Sequence, residues 1–209
     1  MVVNYQKKLE ELVEHLDYTP KLLLHSCCAP CSSRCIEFLT NYFDITVLYY
    51  NPNISPVEEY EKRKKEQIKF LSEFKSVNKI DFIDIEYDYN DFLKISKGLE
   101  KEKEGGRRCF KCYELRLDKT ASKAKELNYD YFGTTLTVSP YKNSQVLNQI
   151  GEDLSEKYDI NYLYSDFKKN NGYKRSIELS KIYNLYRQNY CGCIYSKIER
   201  SEKNEICEL

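Results

Sequence analysis

The sequence predicts an α/β fold in which a parallel β-sheet carries helices on both faces. Short runs of apolar, β-branched or aromatic residues alternate with longer segments of helical pattern along most of the 209 residues. Strand–helix–strand units of this kind close into parallel sheets through right-handed crossovers. No internal repeat divides the chain, so we expect a single domain that spans residues 1–209.

The individual elements follow from the same patterns. Leucine-rich, β-branched or aromatic runs predict strands at residues 22–25, 45–50, 81–87, 129–136 and 160–164. Helical patterns occupy residues 4–16, 32–40, 58–74, 89–99, 109–127, 143–158 and 174–186. Prolines force a loop at residues 51–56. The N-terminal segment (residues 1–18) and the charged tail (residues 197–209) are expected to be peripheral, and the tail to be loosely held.

The composition indicates a soluble globular protein. Hydrophobic residues make up 41% of the chain and charged residues 32%, and no apolar run approaches the roughly 20 residues of a membrane span. Residues 4–14 mix Lys with Glu and contain no apolar signal core, so a cytoplasmic location is expected. The net charge is zero, so nucleic-acid binding would need a local basic patch.

Nine cysteines are the most informative part of the composition. Seven of them form three tight groups, which are Cys27, Cys28 and Cys31, then Cys109 and Cys112, then Cys191 and Cys193. In a compartment where thiols stay reduced, such clustering favours metal binding or redox chemistry over structural disulfides. Cys35 and Cys207 stand apart and are expected to have no special role.

The first thiol group lies in a turn between a predicted strand and a predicted helix. The turn reads His25-Ser26-Cys27-Cys28-Ala29-Pro30-Cys31 and contains no glycine. In a parallel sheet it falls at the carboxyl edge, where ligands bind. A phosphate loop would need glycines here, so we expect a metal or a metal cluster instead. His25 either faces this site or is a structural residue, and the second role is the more common one.

Cys109 and Cys112 are spaced to share one helix face at a helix start. The positive end of a helix favours the thiolate, and Cys27 and Cys28 also lie just before a helix. Two pairs together supply four thiolates, the usual number for an iron–sulfur cluster. Zinc and no metal at all remain alternatives, although a Cys-Cys step fits paired zinc knuckles poorly. Cys31 is either a further ligand or a thiol without a role.

Cys191-Gly192-Cys193 is predicted to be a separate redox device. Cysteines separated by one residue close only a small, strained ring, and strained disulfides are the labile and catalytic ones. Gly192 permits the backbone angles that this closure needs. The alternatives are a pair of inert thiols or two additional metal ligands.

Polar and basic segments follow two later strands and therefore lie at the same edge of the sheet. They are residues 133–143 and 166–175, and Arg107, Arg108 and Lys111 add charge beside Cys109. Together they would form a phosphate-binding rim, while each taken alone is also explained by turns, helix caps or a solvated face. Arg63-Lys64-Lys65 is interspersed with glutamates and is interpreted as surface.

These motifs together resemble the cobalamin-independent epoxyqueuosine reductase family, QueH. The matching segments are the thiol turn with His25, Tyr50-Asn51-Pro52-Asn53-Ile54, Cys109-Phe110-Lys111-Cys112-Tyr113 with Arg116-Leu117, Gly133-Thr134-Thr135-Leu136, Ser139-Pro140-Tyr141-Lys142-Asn143, Asp166-Phe167-Lys168-Lys169, Gly172-Tyr173, Arg175-Ser176 and residues 186–193. The ordered set extends over residues 21–195, and no thiol position departs from it.

The resemblance implies a reaction, a cofactor and a fold. The family reduces the epoxide of epoxyqueuosine at the wobble position of the tRNA anticodon, the last step of queuosine biosynthesis. For this chain it implies a [4Fe-4S] cluster on Cys27, Cys28, Cys109 and Cys112, a redox-active Cys191–Cys193 pair, and a Rossmann-like fold related to nucleotide α-hydrolases.

A mechanism is hypothesised on this basis. Cys191 and Cys193 deliver two electrons and close to a disulfide, and the cluster relays them. An additional mononuclear iron, with Cys31 as a candidate ligand, and an unidentified electron donor are further expectations. Asp166 or a tyrosine is the candidate proton donor. Candidate tRNA contacts are Arg107, Arg108, Lys142, Lys168, Lys169, Lys174 and Arg175.

Two rival interpretations lead to different tests. An adenylating or sulfur-transferring tRNA enzyme would need a glycine-rich phosphate loop after the first strand, which is absent, and would consume ATP. A zinc-stapled RNA-binding module without catalysis would be colourless and contain zinc rather than iron and sulfide.

Overall fold

The structure is a computed structural model that describes the backbone of residues 3–207 and the side chains of residues 3–202. Its centre is a five-stranded parallel sheet in the order β3-β2-β1-β4-β5. The strands are β1 (Lys21–His25), β2 (Asp44–Tyr49), β3 (Ile80–Asp84), β4 (Tyr131–Thr134) and β5 (Asn161–Tyr162). The helices are α1 (Tyr5–Glu14), α2 (Ala29–Leu39), α3 (Val57–Glu73), α4 (Tyr89–Ser96), α5 (Arg107–Glu126), α6 (Ser144–Tyr158), α7 (Gly172–Ile182) and α8 (Ile194–Cys207).

Strand β1 is the middle strand of the sheet, which explains its uninterrupted leucines. Leu22, Leu23 and Leu24 are all fully buried, because a central parallel strand is covered on both faces. His25 ends β1 and lies between Leu48 of β2 and Thr134 of β4. All strand pairs are parallel, so the segments that follow the strands meet at one edge.

Alternating residues of β1 enter two separate apolar cores. Leu22 and Leu24 pack with Ile36 of α2 and Phe70 of α3. Leu23 packs on the opposite face with residues of α5 and α6, including Leu117 and Leu147. Side chains of neighbouring strand residues point to opposite faces, so one strand joins both cores. The predicted α/β architecture with helices on both faces is confirmed.

The structure differs from the sequence-based prediction at the start of α2 and in the C-terminal segment. Helix α2 begins at Ala29 rather than at residue 32, so Pro30 and Cys31 lie in its first turn. The chain after Lys197 was expected to be loosely held, but it belongs to α8. Glu199 of α8 accepts hydrogen bonds from the backbone nitrogen of Glu104 at 2.9 and 3.2 Å. The prediction of a loose tail is therefore wrong for the part of α8 whose side chains are described.

None of the helices in the described residues is long and apolar enough to cross a membrane. The backbone of Cys207 lies in α8, and its side chain is outside the described residues.

Candidate thiol site at the carboxyl edge of the sheet

The turn after β1 gathers three thiols. The sulfur atoms of Cys27, Cys28 and Cys31 lie within 4.8 Å of one another, and those of Cys27 and Cys28 are 3.7 Å apart. Cys28 is the extended residue that precedes α2, and Cys31 is in the first turn of that helix. The structure therefore places Cys31 with the other two thiols, in favour of its interpretation as a further ligand.

His25, at the end of β1, supports the start of the turn. Its ring nitrogens lie 3.1 Å from Thr134 Oγ1 and 3.2 Å from the carbonyl oxygen of Tyr50. Complete burial, together with the nearby guanidinium of Arg116, lowers the pKa of His25 to about 3. A neutral imidazole with both nitrogens hydrogen-bonded has a structural role, which was the more common of the two alternatives.

Buried hydroxyl and amide groups fix the backbone of the turn. Ser26 Oγ and Ser32 Oγ donate to the same oxygen, Oε1 of Gln67, at 2.7 and 2.9 Å. Asn51 Nδ2 donates to the carbonyl oxygen of Ser26 at 2.8 Å. The turn is thus held by α3 on one side and by the loop after β2 on the other.

The other four clustered thiols line a single cavity, which is called the second cavity below. Cys109 and Cys112 of α5 and Cys191 and Cys193 lie around it, with Arg116. The sulfur of Cys109 accepts a hydrogen bond from the backbone nitrogen of Gly105 at 3.2 Å. The two predicted pairs therefore face one another across a single cavity.

Cys191 connects the two thiol groups. It lines the second cavity, and it also lines another cavity together with Cys27 and Cys31, which is called the first cavity below. Gln188 Nε2 donates to the sulfur of Cys28 at 2.9 Å. The clustered cysteines therefore lie around two cavities that share Cys191. Among the described residues, the one group of three or more whose sulfurs lie within 4.8 Å of one another is Cys27, Cys28 and Cys31. Cys35, which was expected to have no role, is buried in the apolar core of α2.

Burial and neighbouring thiols change the pKa values of Cys28, Cys109 and Cys112. Hydrogen bonds from Cys27 and Cys31 lower the pKa of Cys28. Burial raises the pKa of Cys109 to about 11 and that of Cys112 to about 12. The helix start was expected to favour the thiolate at these two positions, but burial outweighs it. A metal changes this balance, because thiols lose their protons when they coordinate.

Arg116 and Lys142 line the two thiol cavities, and neither forms an ion pair with a carboxylate of the described residues. Arg116 is 1% exposed and its Nε donates to the carbonyl oxygen of Cys112 at 3.0 Å, while its buried Nη2 has no hydrogen-bond partner among the described residues. Lys142 lines the first cavity. Burial would lower the pKa of Lys142, but the thiols of Cys191, Cys27 and Cys31 raise it above its ordinary value. Both side chains therefore remain charged.

This combination fits an iron–sulfur cluster. An all-sulfur donor set is the one such clusters use, and a cluster bound by four thiolates carries net negative charge. The guanidinium of Arg116, whose Nη2 has no hydrogen-bond partner among the described residues, and the ammonium of Lys142 would supply positive charge at this site. A buried cation without a counter-ion is otherwise costly.

The predicted basic rim is only partly present. Arg108 is 1% exposed and donates to the carbonyl oxygens of Leu99, Glu100 and Glu102, so its prediction as a tRNA contact is wrong. Lys168 pairs with the buried carboxylate of Asp166 at 2.7 Å.

The remaining predicted contacts lie closer to the surface. Arg175 forms ion pairs with Glu37 and Glu178. Arg107 is exposed and paired with Glu102, and Lys169 and Lys174 are exposed. Asp166, a candidate proton donor, is not among the residues that line the two thiol cavities.

Sequence reasoning assigned no individual role to several residues that line the cavities. Arg187 and Arg200 line the first cavity with Tyr141 and Tyr173. Arg63, which was interpreted as surface, is 1% exposed and lies against the Cys191 segment. Arg116 had a usable signal, since it follows Cys112 by one helical turn. Arg63 had none, because its neighbours are a run of surface lysines and glutamates.

Fold and site together define a thiol-rich α/β protein of the Rossmann-like type, in which cysteines occupy the turn after the first strand. The structure resembles that of a U34-tRNA thiolase, NcsA, from Methanococcus maripaludis, solved with its [4Fe-4S] cluster. The TM-score is 0.56 at 13% identity, over 92% of this chain and 67% of that one. At this identity the similarity concerns the fold alone.

The chain belongs to the epoxyqueuosine reductase QueH family. The family model "Epoxyqueuosine reductase QueH" matches residues 22–199. Two relatives of that description are 47% identical (Streptococcus pyogenes serotype M1, 93% of this chain and 78% of the relative) and 46% identical (Staphylococcus epidermidis, 95% and 86%). A third, from Thermotoga maritima, is 36% identical over 88% of this chain and 93% of its own length.

Proposed function

We propose that this protein is an oxidoreductase that converts epoxyqueuosine at the wobble position of a tRNA anticodon into queuosine, the last step of queuosine biosynthesis. Family membership supports the reaction. The observation that carries the proposal for this chain is the arrangement of the clustered cysteines around two cavities that share Cys191. The reaction takes place where tRNA is modified, so we expect a cytoplasmic enzyme.

Cys191 and Cys193 are proposed to supply the reducing equivalents. Conversion of an epoxide into an alkene consumes two electrons and two protons and releases water. Two thiols that close to a disulfide release two electrons and two protons, so the two half-reactions balance. Both residues are free thiols in the structure. An external electron donor, still to be identified, must then reopen the disulfide.

Cys27, Cys28, Cys109 and Cys112 are proposed to hold a [4Fe-4S] cluster, which supplies one-electron transfer when it is bound. Arg116 and Lys142 compensate the negative charge at this place. Cys31 lies with the first two ligands and is the proposed ligand of an additional mononuclear iron.

The first cavity is proposed to receive the modified base. Cys191 lines this cavity. The rim of the cavity combines aromatic rings with the cationic groups of Lys142, Arg187 and Arg200. Aromatic rings stack on unpaired bases, and cations bind the phosphates of a single-stranded loop. The ammonium of Lys142 is proposed to stabilise negative charge that develops on the departing epoxide oxygen.

The test is anaerobic incubation of the iron-loaded protein with epoxyqueuosine-containing tRNA and dithionite, followed by mass analysis of the nucleosides. We expect queuosine, a nucleoside lighter by one oxygen atom. Cys109→Ser should lose iron, sulfide and turnover, whereas Cys35→Ser, a change at a buried thiol outside the site, should retain them. An unchanged nucleoside from protein that holds iron and sulfide and binds the tRNA would contradict the proposal. Zinc without iron in protein prepared anaerobically would favour the non-catalytic RNA-binding module.

A further inference from the structure

Helix α3 has a buried polar face that sequence patterning did not reveal. Glu59, Arg63 and Gln67 follow one another at intervals of one helical turn and therefore share a face. Arg63 and Gln67 are 1% and 0% exposed, although α3 is rich in exposed Lys and Glu. A buried arginine is costly unless each of its donors is used, so the contacts of Arg63 indicate what it does.

The guanidinium of Arg63 binds the backbone of the segment that carries the dithiol. Nη1 donates to the carbonyl oxygen of Cys191 at 3.0 Å, and Nη2 donates to that of Tyr190 at 3.4 Å. Nε is held by Oε1 of Glu59 at 2.7 Å. The guanidinium also lies 5.1 Å from the centre of the Tyr190 ring. Arg63 thus clamps two successive peptide groups next to the first thiol of the pair.

The loop after β2 completes this clamp. The backbone nitrogen of Ser55 donates to the carbonyl oxygen of Gly192 at 3.0 Å, and Tyr190 Oη donates to the carbonyl oxygen of Ser55 at 3.2 Å. Gly192 has φ +132°, and a Cβ atom there would lie 3.1 Å from Nη1 of Arg63. The segment is therefore held in one conformation that only glycine adopts without strain.

One turn further along α3, Gln67 holds the other thiol group through Ser26 and Ser32. A rigid helix consequently anchors the Cys27–Cys31 turn and the Cys191–Cys193 segment from adjacent positions. Contacts with α3 therefore contribute to their relative placement.

We propose that Arg63 is a positioning residue for the redox reaction, which holds the Cys191–Cys193 segment in the conformation that allows the two thiols to pair. The inference rests on the proposed redox role of that pair. Groups that are held ready to react have a high effective concentration, and release of the segment lowers it. Loss of Arg63 should therefore weaken disulfide formation without weakening tRNA binding.

The test is a thiol–disulfide titration of the full-length protein in anaerobic glutathione buffers. One glutathione disulfide oxidises the two thiols and leaves as two glutathione molecules, so the equilibrium is balanced and needs no tRNA. Trypsin then releases residues 188–197, which contain Cys191 and Cys193 and no other cysteine. The mass of this peptide, lighter by two hydrogen atoms when the disulfide is closed, gives the oxidised fraction directly.

We expect Arg63→Met to lower the equilibrium constant for disulfide formation about tenfold, in proportion to the loss of a hydrogen bond from a charged donor. Arg63→Lys, which keeps the charge and reaches one carbonyl, should lie between Arg63→Met and the wild type. Lys65→Met, on the exposed side of the same helix, should titrate like the wild type. In the tRNA assay, Arg63→Met should lower kcat and leave KM within about twofold.

Superimposable titrations of Arg63→Met and Lys65→Met would overturn the inference. If Arg63→Met does not fold, as judged by its thermal transition, Arg63→Lys decides the question, and a titration like that of Lys65→Met would again overturn it. Failure of the wild type to act on tRNA would contradict the proposed function instead, while the titration would still report on the clamp.

Discussion

Gln188 Nε2 donates a hydrogen bond of 2.9 Å to the sulfur of Cys28, across 160 residues of sequence. This contact joins the turn after β1 to the segment that leads into Cys191. With the clamp at Arg63, it brings the thiol turn and the dithiol segment together at the carboxyl edge of the sheet. It also places a neutral donor on one of the four proposed cluster ligands.

Gln188→Met should lower the reduction potential of the cluster. A hydrogen bond to a ligand sulfur stabilises the more negative, reduced state. Its loss should lower the one-electron potential by about 40 mV, the equivalent of about 1 kcal/mol. A spectroscopic redox titration measures this, with Gln149→Met, an exposed glutamine of α6, as the matched control. Equal potentials in the two variants would show that Cys28 is not a ligand or that the contact is not made.

Cys191→Ser should abolish turnover and leave the visible absorbance of the cluster intact. A serine hydroxyl cannot close a disulfide, so the variant lacks the proposed source of two electrons. Absorbance spectra and iron content are compared with those of the wild type after identical anaerobic loading. Loss of absorbance in Cys191→Ser would instead identify Cys191 as a cluster ligand.

Gly192→Ala should destabilise the protein and impair turnover. At φ +132° the new methyl group would also lie 3.0 Å from Ile54 Cγ1 and 3.1 Å from Arg63 Nη1. We expect a loss of about 1–3 kcal/mol in the free energy of unfolding, measured in urea. Gly98→Ala is the matched control, since Gly98 has φ +79° with no atom within 4 Å of the added methyl, and should cost about 1 kcal/mol. A loss no greater than that of the control would mean that the segment is free to adjust.

Affinity for tRNA should fall as salt concentration rises, because cations at the rim of the first cavity displace counter-ions from phosphates. Arg187 is exposed at this rim, and Arg187→Met should reduce the slope of log affinity against log salt by about 0.7. Lys79→Met is the control, because Lys79 precedes β3 and so lies at the opposite edge of the sheet. An affinity that does not change with salt would exclude phosphate contacts at the rim.

The sequence allowed the sheet and the thiol turn to be predicted because both depend on local patterns. Three successive leucines identify a central strand, and a cluster of cysteines between a strand and a helix identifies its carboxyl end. The role of Arg63 depends instead on a segment 128 residues later that covers one face of α3. No local pattern distinguishes Arg63 from the neighbouring Lys64 and Lys65 before that face is known.

The same limit applies to Arg108 and to α8. Arg108 was expected to face RNA because basic residues are usually solvated, but the chain folds back so that three carbonyl oxygens accept its hydrogen bonds. The ion pair between Arg108 and Glu199 holds the start of α8. The charged composition of this segment alone had indicated a loose tail. Both outcomes are set by tertiary packing rather than by composition.

A single-turnover experiment shows whether Cys191 and Cys193 supply the two electrons. Protein with its cluster and reduced thiols is freed of all external reductant and mixed with an excess of epoxyqueuosine-containing tRNA. We expect queuosine and the oxidised peptide of residues 188–197 in equal amounts, because each turnover closes one Cys191–Cys193 disulfide. Queuosine that forms while this peptide stays reduced would show that Cys191 and Cys193 are not the source of the electrons.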